Sequence, residues 1–130
     1  MKRTIFLAES QNHVRRALRL MLEQQAGLSV IGEADHSESL LAQVCQCPPD
    51  VILLDWKLPG LHPHRLLTAL KQYCSGTFVL ATGIWQEPEQ ALLDLGVDGF
   101  LSKQLPPDQF LQQLMQLLDQ STIKNEEDKT

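Results

Sequence analysis

No stretch of this chain is apolar for long enough to cross a bilayer, which takes ~18 residues. The opening MKRTIFLAES begins with basic residues, but its apolar run is short and no small-residue cleavage site follows, so it does not read as a secretory leader. A basic surplus is missing too. The formal net charge of -5 leaves no footprint for a phosphate backbone, so nucleic acid could be touched only through another domain. Cysteine is scarce: Cys45, Cys47 and Cys74 are odd in number, and C-x-C is not the C-x-x-C spacing of zinc and redox sites. Buried, reduced thiols in a cytoplasmic protein are expected. Among His13, His36, His62 and His64, the H-x-H pair around Pro63 lacks further ligands nearby to complete a metal shell and reads as a polar turn. Internal repeats and low-complexity tracts are absent as well.

What is present suits a single ordinary core. The 130 residues, 43% hydrophobic and 21% charged, are one domain's worth of globular chain. Short apolar runs alternate with longer amphipathic segments, the signature of βα units around a parallel sheet. Strands are predicted at 4–8, 29–34, 51–55, 78–82 and 99–102. The third and fourth are continuous apolar runs, as central strands covered on both faces should be. Of five helices, the first carries Val14, Ala17, Leu18, Met21 and Leu22 and stops at Gly27. The second starts with Ser37 as N-cap, buries Leu40, Leu41, Val44 and Cys45, and ends at Pro48 and Pro49. The third, over 64–74, uses Leu66, Leu67 and Leu70. The fourth has Pro88 in its first turn and Gly96 just past its end. The fifth, 107–119, lines up Phe110, Leu111, Leu114, Met115 and Leu118, leaving Leu117 off the stripe as an exposed partner contact. A domain over 1–120 is expected, with 121–130 a polar tail or the start of a linker.

Ligands of open α/β sheets bind beyond the carboxyl ends of the strands. There the first strand delivers Glu9 and Ser10, the third Asp55, the fourth Thr82 and Gly83, and the fifth leads to Lys103. One acid after a strand is ordinarily a solvated loop residue or a cap, and one lysine ordinarily a solvated surface residue. Four strands placing reactive side chains at one edge is a different matter. Grouped carboxylates repel unless a cation joins them, which a hard divalent ion with oxygen ligands would do. Pro59 and Gly60 after Asp55 are expected to turn the chain away and leave its carboxylate open.

With FLAES, DVILLDWKLPG, LATG and GVDGFLSKQLPPDQF in order, residues 4 to about 119 resemble the receiver domains of two-component response regulators. The last stretch is most similar to the subgroup that precedes helix-turn-helix DNA-binding domains. The resemblance implies a doubly wound, flavodoxin-like five-stranded parallel sheet of order 2-1-3-4-5 with five helices. It also implies that Asp55 accepts a phosphoryl group from a histidine kinase or phosphotransfer protein. Lys103, the Thr82 hydroxyl and the backbone N–H groups of Trp56 and Gly83 would contact that group. Glu9, Ser10, Asp55 and the Lys57 carbonyl would hold Mg²⁺, with Thr82 and Phe100 as the switch. Such a domain is a signalling protein and not an enzyme, beyond assisting its own phosphorylation and dephosphorylation. Homodimerisation fits the same family, and membrane binding does not.

The match departs at Ser10, where the family has a second acid that touches the metal directly; a neutral oxygen weakens the site. A phosphorylation-independent interaction or dimerisation module with the same fold is therefore the alternative. Haloacid-dehalogenase-like phosphatases need a second aspartate two residues after the nucleophile, where this chain has Lys57, and ESQNHVRR offers no phosphate loop for a flavin.

Overall fold

Each apolar run becomes a strand in the computed structural model, which describes residues 2–84 and 93–128, with side chains through residue 120. The strands are β1 (Arg3–Ala8), β2 (Leu28–Ala34), β3 (Val51–Asp55), β4 (Phe78–Gly83) and β5 (Gly99–Ser102). The described helices are α1 (Asn12–Glu23), α2 (Ser37–Gln46), α3 (Pro63–Tyr73) and α4 (Pro107–Asp128). The sheet is parallel throughout, ordered β2-β1-β3-β4-β5.

Alternation along the strands splits the core in two, because successive side chains of a strand point to opposite faces. Phe6, Ala8, Ile52, Leu54, Val79 and Ala81 join Leu40 and Val44 of α2 and Leu66, Leu67 and Leu70 of α3. Ile5, Leu7, Val51, Leu53, Leu80 and Leu101 meet Leu22 of α1 and Phe110, Leu114 and Leu118 of α4 on the other face. All five residues of β3 are buried, as its unbroken apolar run requires. Each such leucine contributes ~2 kcal/mol relative to exposure, so burial fixes which residue of β3 ends at the sheet edge.

Several local expectations are corrected. Ser37 is not an N-cap: His36 occupies that position without a side-chain bond, while the Ser37 hydroxyl accepts from Leu61 N at 2.8 Å. Its backbone N–H donates to Pro59 O at 2.9 Å, so the loop after β3 is tied to the start of α2. Within that loop Gly60 has φ +115°, and a Cβ there would lie 2.0 Å from Ser37 Oγ. Only glycine fits both the backbone and the space. His62 Nδ1 accepts from His64 N at 3.3 Å, making the H-x-H pair a helix cap around Pro63 at the start of α3.

Gly27 does not stop α1, which ends at Gln24 in right-handed backbone. Gly96, with φ +106°, does have the left-handed backbone of a stop, whereas Pro88 and most of the expected fourth helix lie outside the described residues. Of the cysteines only Cys74 is buried; Cys45 and Cys47 are exposed because α2 turns that side to solvent. Leu117 is not an exposed contact, since it packs on the α1/α4-side core and closes over Gly99. The backbone of α4 stays helical to Asp128, through most of the expected tail.

Candidate functional site

The carboxyl ends of β1, β3, β4 and β5 converge on a small polar cluster. Asp55 is the last residue of β3 and only 2% exposed. Thr82, its register partner on β4, is 3% exposed, and Glu9, the residue after β1, 1%. Just beyond β5, Lys103 donates its backbone N–H to Gly83 O at 2.9 Å, which brings its side chain back over the sheet edge. Its ammonium lies 2.6 Å from Glu9 Oε1 and 3.1 Å from Asp55 Oδ1, bridging the two buried acids.

The carboxylate of Asp55 is not open. Ser10 closes on Oδ2 with its hydroxyl at 2.7 Å and its backbone N–H at 3.2 Å. Lys57 N donates to Oδ1 at 3.0 Å. Burial pushes the Asp55 pKa up, but the Lys57 N–H, then the two Ser10 donors, then Lys103 outweigh it and bring it from 3.8 down to about 2. The group is thus an ionised carboxylate at any physiological pH.

Glu9 is held differently. Its Oε2 accepts from Gln11 N at 3.0 Å, while Oε1 is buried with no hydrogen-bond partner and faces the Lys103 ammonium as a bare ion pair. The Glu9 carbonyl accepts from Arg15 Nη1 at 2.8 Å, and the same guanidinium pairs with Glu33 through Nε at 3.0 Å. Sequence reasoning passed over Arg15, since an arginine on the polar side of an amphipathic helix carries no mark of what it reaches.

The N–H of Trp56, expected to contact a phosphoryl group, donates here to Thr82 O at 2.9 Å, extending the β3–β4 ladder one residue beyond Asp55. The first free step off the ladder is Lys57, whose N–H turns to the carboxylate. The indole of Trp56 packs against the α2/α3-side core. Phe100 lies half-buried against the same core. A cavity of about 290 Å³ opens between α1 and α4 and reaches Thr82 and Lys103 past His13, Leu18 and Phe110.

Of the expected metal ligands, Glu9, Ser10 and Asp55 do meet, with Lys57 beside them. Among the described residues, however, no group of three or more His, Cys, Asp and Glu side chains is arranged to hold a metal. No described helix is long and apolar enough to cross a membrane.

The response regulator receiver domain family matches residues 5–115. The nitrate/nitrite response regulator protein NarL of Escherichia coli K12 is 26% identical over 115 residues, covering 87% of this chain and 53% of that protein. Response regulator GacA of Pseudomonas viridiflava is 29% identical over 101 residues, covering 76% and 47%. This chain therefore spans about half the length of the curated relatives it matches. Among solved structures, the signal receiver domain of a NarL response regulator from Mycobacterium tuberculosis superposes with a TM-score of 0.80 at 26% identity, covering 93% of this chain and 97% of that one. The two-component response regulator RcsB, solved in complex with DNA, shares the fold with a TM-score of 0.81 at 23% identity, covering 91% and 63%. Sheet order, the acid at the end of β3 and the match along most of the sequence agree: the chain belongs to the response regulator receiver domain family of two-component signalling.

Proposed function

We propose that Asp55 accepts a phosphoryl group from the phosphohistidine of a kinase or phosphotransfer protein, and that the new charge resets a protein-binding surface. The observation that carries this reading is the buried, ionised Asp55 with an ammonium 3.1 Å away and a threonine hydroxyl on the adjoining strand. A carboxylate oxygen attacks phosphorus, the P–N bond breaks, and the departing imidazole nitrogen takes up a proton. The product is an acyl phosphate. Like-charge repulsion between nucleophile and phosphoryl group opposes the attack, and Lys103 offsets it by balancing charge on the equatorial oxygens. One Asp55 oxygen must first shed a partner, and the Ser10 hydroxyl leaves Oδ2 by a single χ1 rotation.

Once formed, the acyl phosphate adds a charge of about -1.5 to -2 and draws the Thr82 hydroxyl toward it. Gly83 N–H, next along the chain, is the further donor. Phe100 follows Thr82, and the surface of β5 and α4 is the output. Such a switch acts in the cytoplasm, where the kinase partner works, and pairs this surface with a second copy of the chain or with another domain. RcsB is a response regulator that contacts DNA. If the natural protein continues into a comparable domain, the switched surface controls transcription while the receiver itself leaves DNA untouched.

Receiver domains as a family bind Mg²⁺ at their acidic pocket. Here the donor set does not fit that ion as it stands: every carboxylate oxygen of the pocket is engaged by a protein N–H, O–H or ammonium.

The closed pocket also favours a second reading, an interaction module that works without phosphorylation. Intact-mass measurement after incubation with a small phosphodonor separates the two. One added phosphate, lost in Asp55→Asn, is expected; an unchanged mass under permissive conditions selects the module.

A further inference from the structure

Two buried carboxylates a few ångströms apart need a cation, and the chain itself supplies one. Lys103 Nζ stands 2.6 Å from Glu9 Oε1 and 3.1 Å from Asp55 Oδ1, inside the distance of both ion pairs. Ser10, half-buried at the entrance, spends its hydroxyl and its N–H on Asp55 Oδ2. Gln11 N takes Glu9 Oε2 at 3.0 Å. No acid oxygen remains unengaged to enter a divalent ion's coordination shell. Only Glu9 Oε1 lacks a hydrogen bond, and the ammonium already faces it.

We infer that in this chain the Lys103 ammonium takes the divalent cation's place in the resting pocket, and that residue 10 decides whether the pocket accepts a divalent ion at all. Charge argues for it. Two carboxylates and one ammonium leave a single net negative charge, too little to repay stripping a small, strongly hydrated dication of its water. An acid at position 10 would raise the net charge to two and supply an oxygen ligand where a hydrogen-bond donor now stands. Removing the ammonium would likewise leave two uncompensated charges, which recruit an ion.

The inference rests on the pocket's geometry and not on phosphotransfer, so it is tested without a phosphodonor. Mn²⁺, as a paramagnetic stand-in for Mg²⁺, is titrated into the purified chain while the free-ion resonance signal is followed, with Mg²⁺ competition to identify the site. The wild type should leave the signal nearly unchanged at equimolar protein. Ser10→Asp and Lys103→Met should each bind about tenfold more tightly or better, and Ser10→Ala should not gain. Circular dichroism establishes that each variant is folded; should Ser10→Asp not fold, the wild-type titration and Lys103→Met still decide. Wild-type binding as tight as that of Ser10→Asp, or no gain in Lys103→Met, overturns the inference while leaving Asp55 a candidate acceptor. Conversely, a chain that takes no phosphate yet shows the two gains keeps it intact.

Discussion

One apolar strand carries a carboxylate at each end, and the two have opposite fates. Asp50, just before β3, is exposed and exchanges hydrogen bonds with uncharged groups of Thr4: Thr4 N donates to its Oδ2 at 2.9 Å, and its own N–H donates to Thr4 Oγ1 at 2.8 Å. Asp55, at the far end, is buried and shares an ammonium with a second acid. The first is a strut that joins β1 to β3. The second is an ionised group kept from water, where each donor counts for more and each loss costs more. The same side chain type thus ties strands together at the amino end of a parallel sheet and joins a buried ionic cluster at the carboxyl end, where ligands of such sheets bind.

The sharpest way to break the comparison is to neutralise both acids in turn. Asp55→Asn should abolish phosphate uptake in the intact-mass assay, whereas Asp50→Asn should leave it within about twofold. Equal losses would mean that the strand ends are not functionally distinct. Next in size is Lys103→Met, which strands two buried carboxylates. A loss of about 3 kcal/mol is expected from urea unfolding in chelator, against a change too small to resolve for an exposed lysine such as Lys57.

Acid titration sharpens the contrast further. Because the folded-state pKa of Asp55 lies at about 2, below its ordinary 3.8, its contribution of about 2 kcal/mol is complete above pH ~4 and lost as pH falls through about 2. In Asp55→Asn that part of the stability-versus-pH slope should vanish. The smallest effect is expected at the strut. Asp50→Ala should cost about 1 kcal/mol, nearly independent of salt because its Thr4 partners are neutral. A strong salt dependence there would show that charge, and not hydrogen bonding, sustains the amino end.

The fold was readable because its signal is dense. Short apolar or half-apolar segments bounded by turn residues and alternating with longer amphipathic stretches read as strands of βα units, and all five predicted strands appear within a residue or so of their limits. The clustering of Glu9, Asp55, Thr82 and Lys103 was readable for the same reason: burial of β3 decides where Asp55 emerges. What could not be read were contacts between distant positions. Ser10 looked like a lost metal ligand, and nothing local says that its hydroxyl reaches a carboxylate 45 residues on. Ser37 carries a good cap residue's chemistry, yet Leu61 claims it from 24 residues away. Trp56 looked free because a sequence does not say where a strand ladder stops. Leu117 and Cys45 sit at helix-face margins, where a shift of a fraction of a turn decides exposure.

The fit of Gly60 against Ser37 leaves no room for a side chain in the loop that follows Asp55. A Cβ there would lie 2.0 Å from Ser37 Oγ, so any larger residue would have to push the segment from Leu58 to Leu61 away from the start of α2. Ser10 is held to Asp55 Oδ2 by a hydroxyl that turns on one rotatable bond. The loop after Asp55 is thus set by packing that tolerates no exchange, while Ser10 is set by a hydrogen bond that can be traded for another.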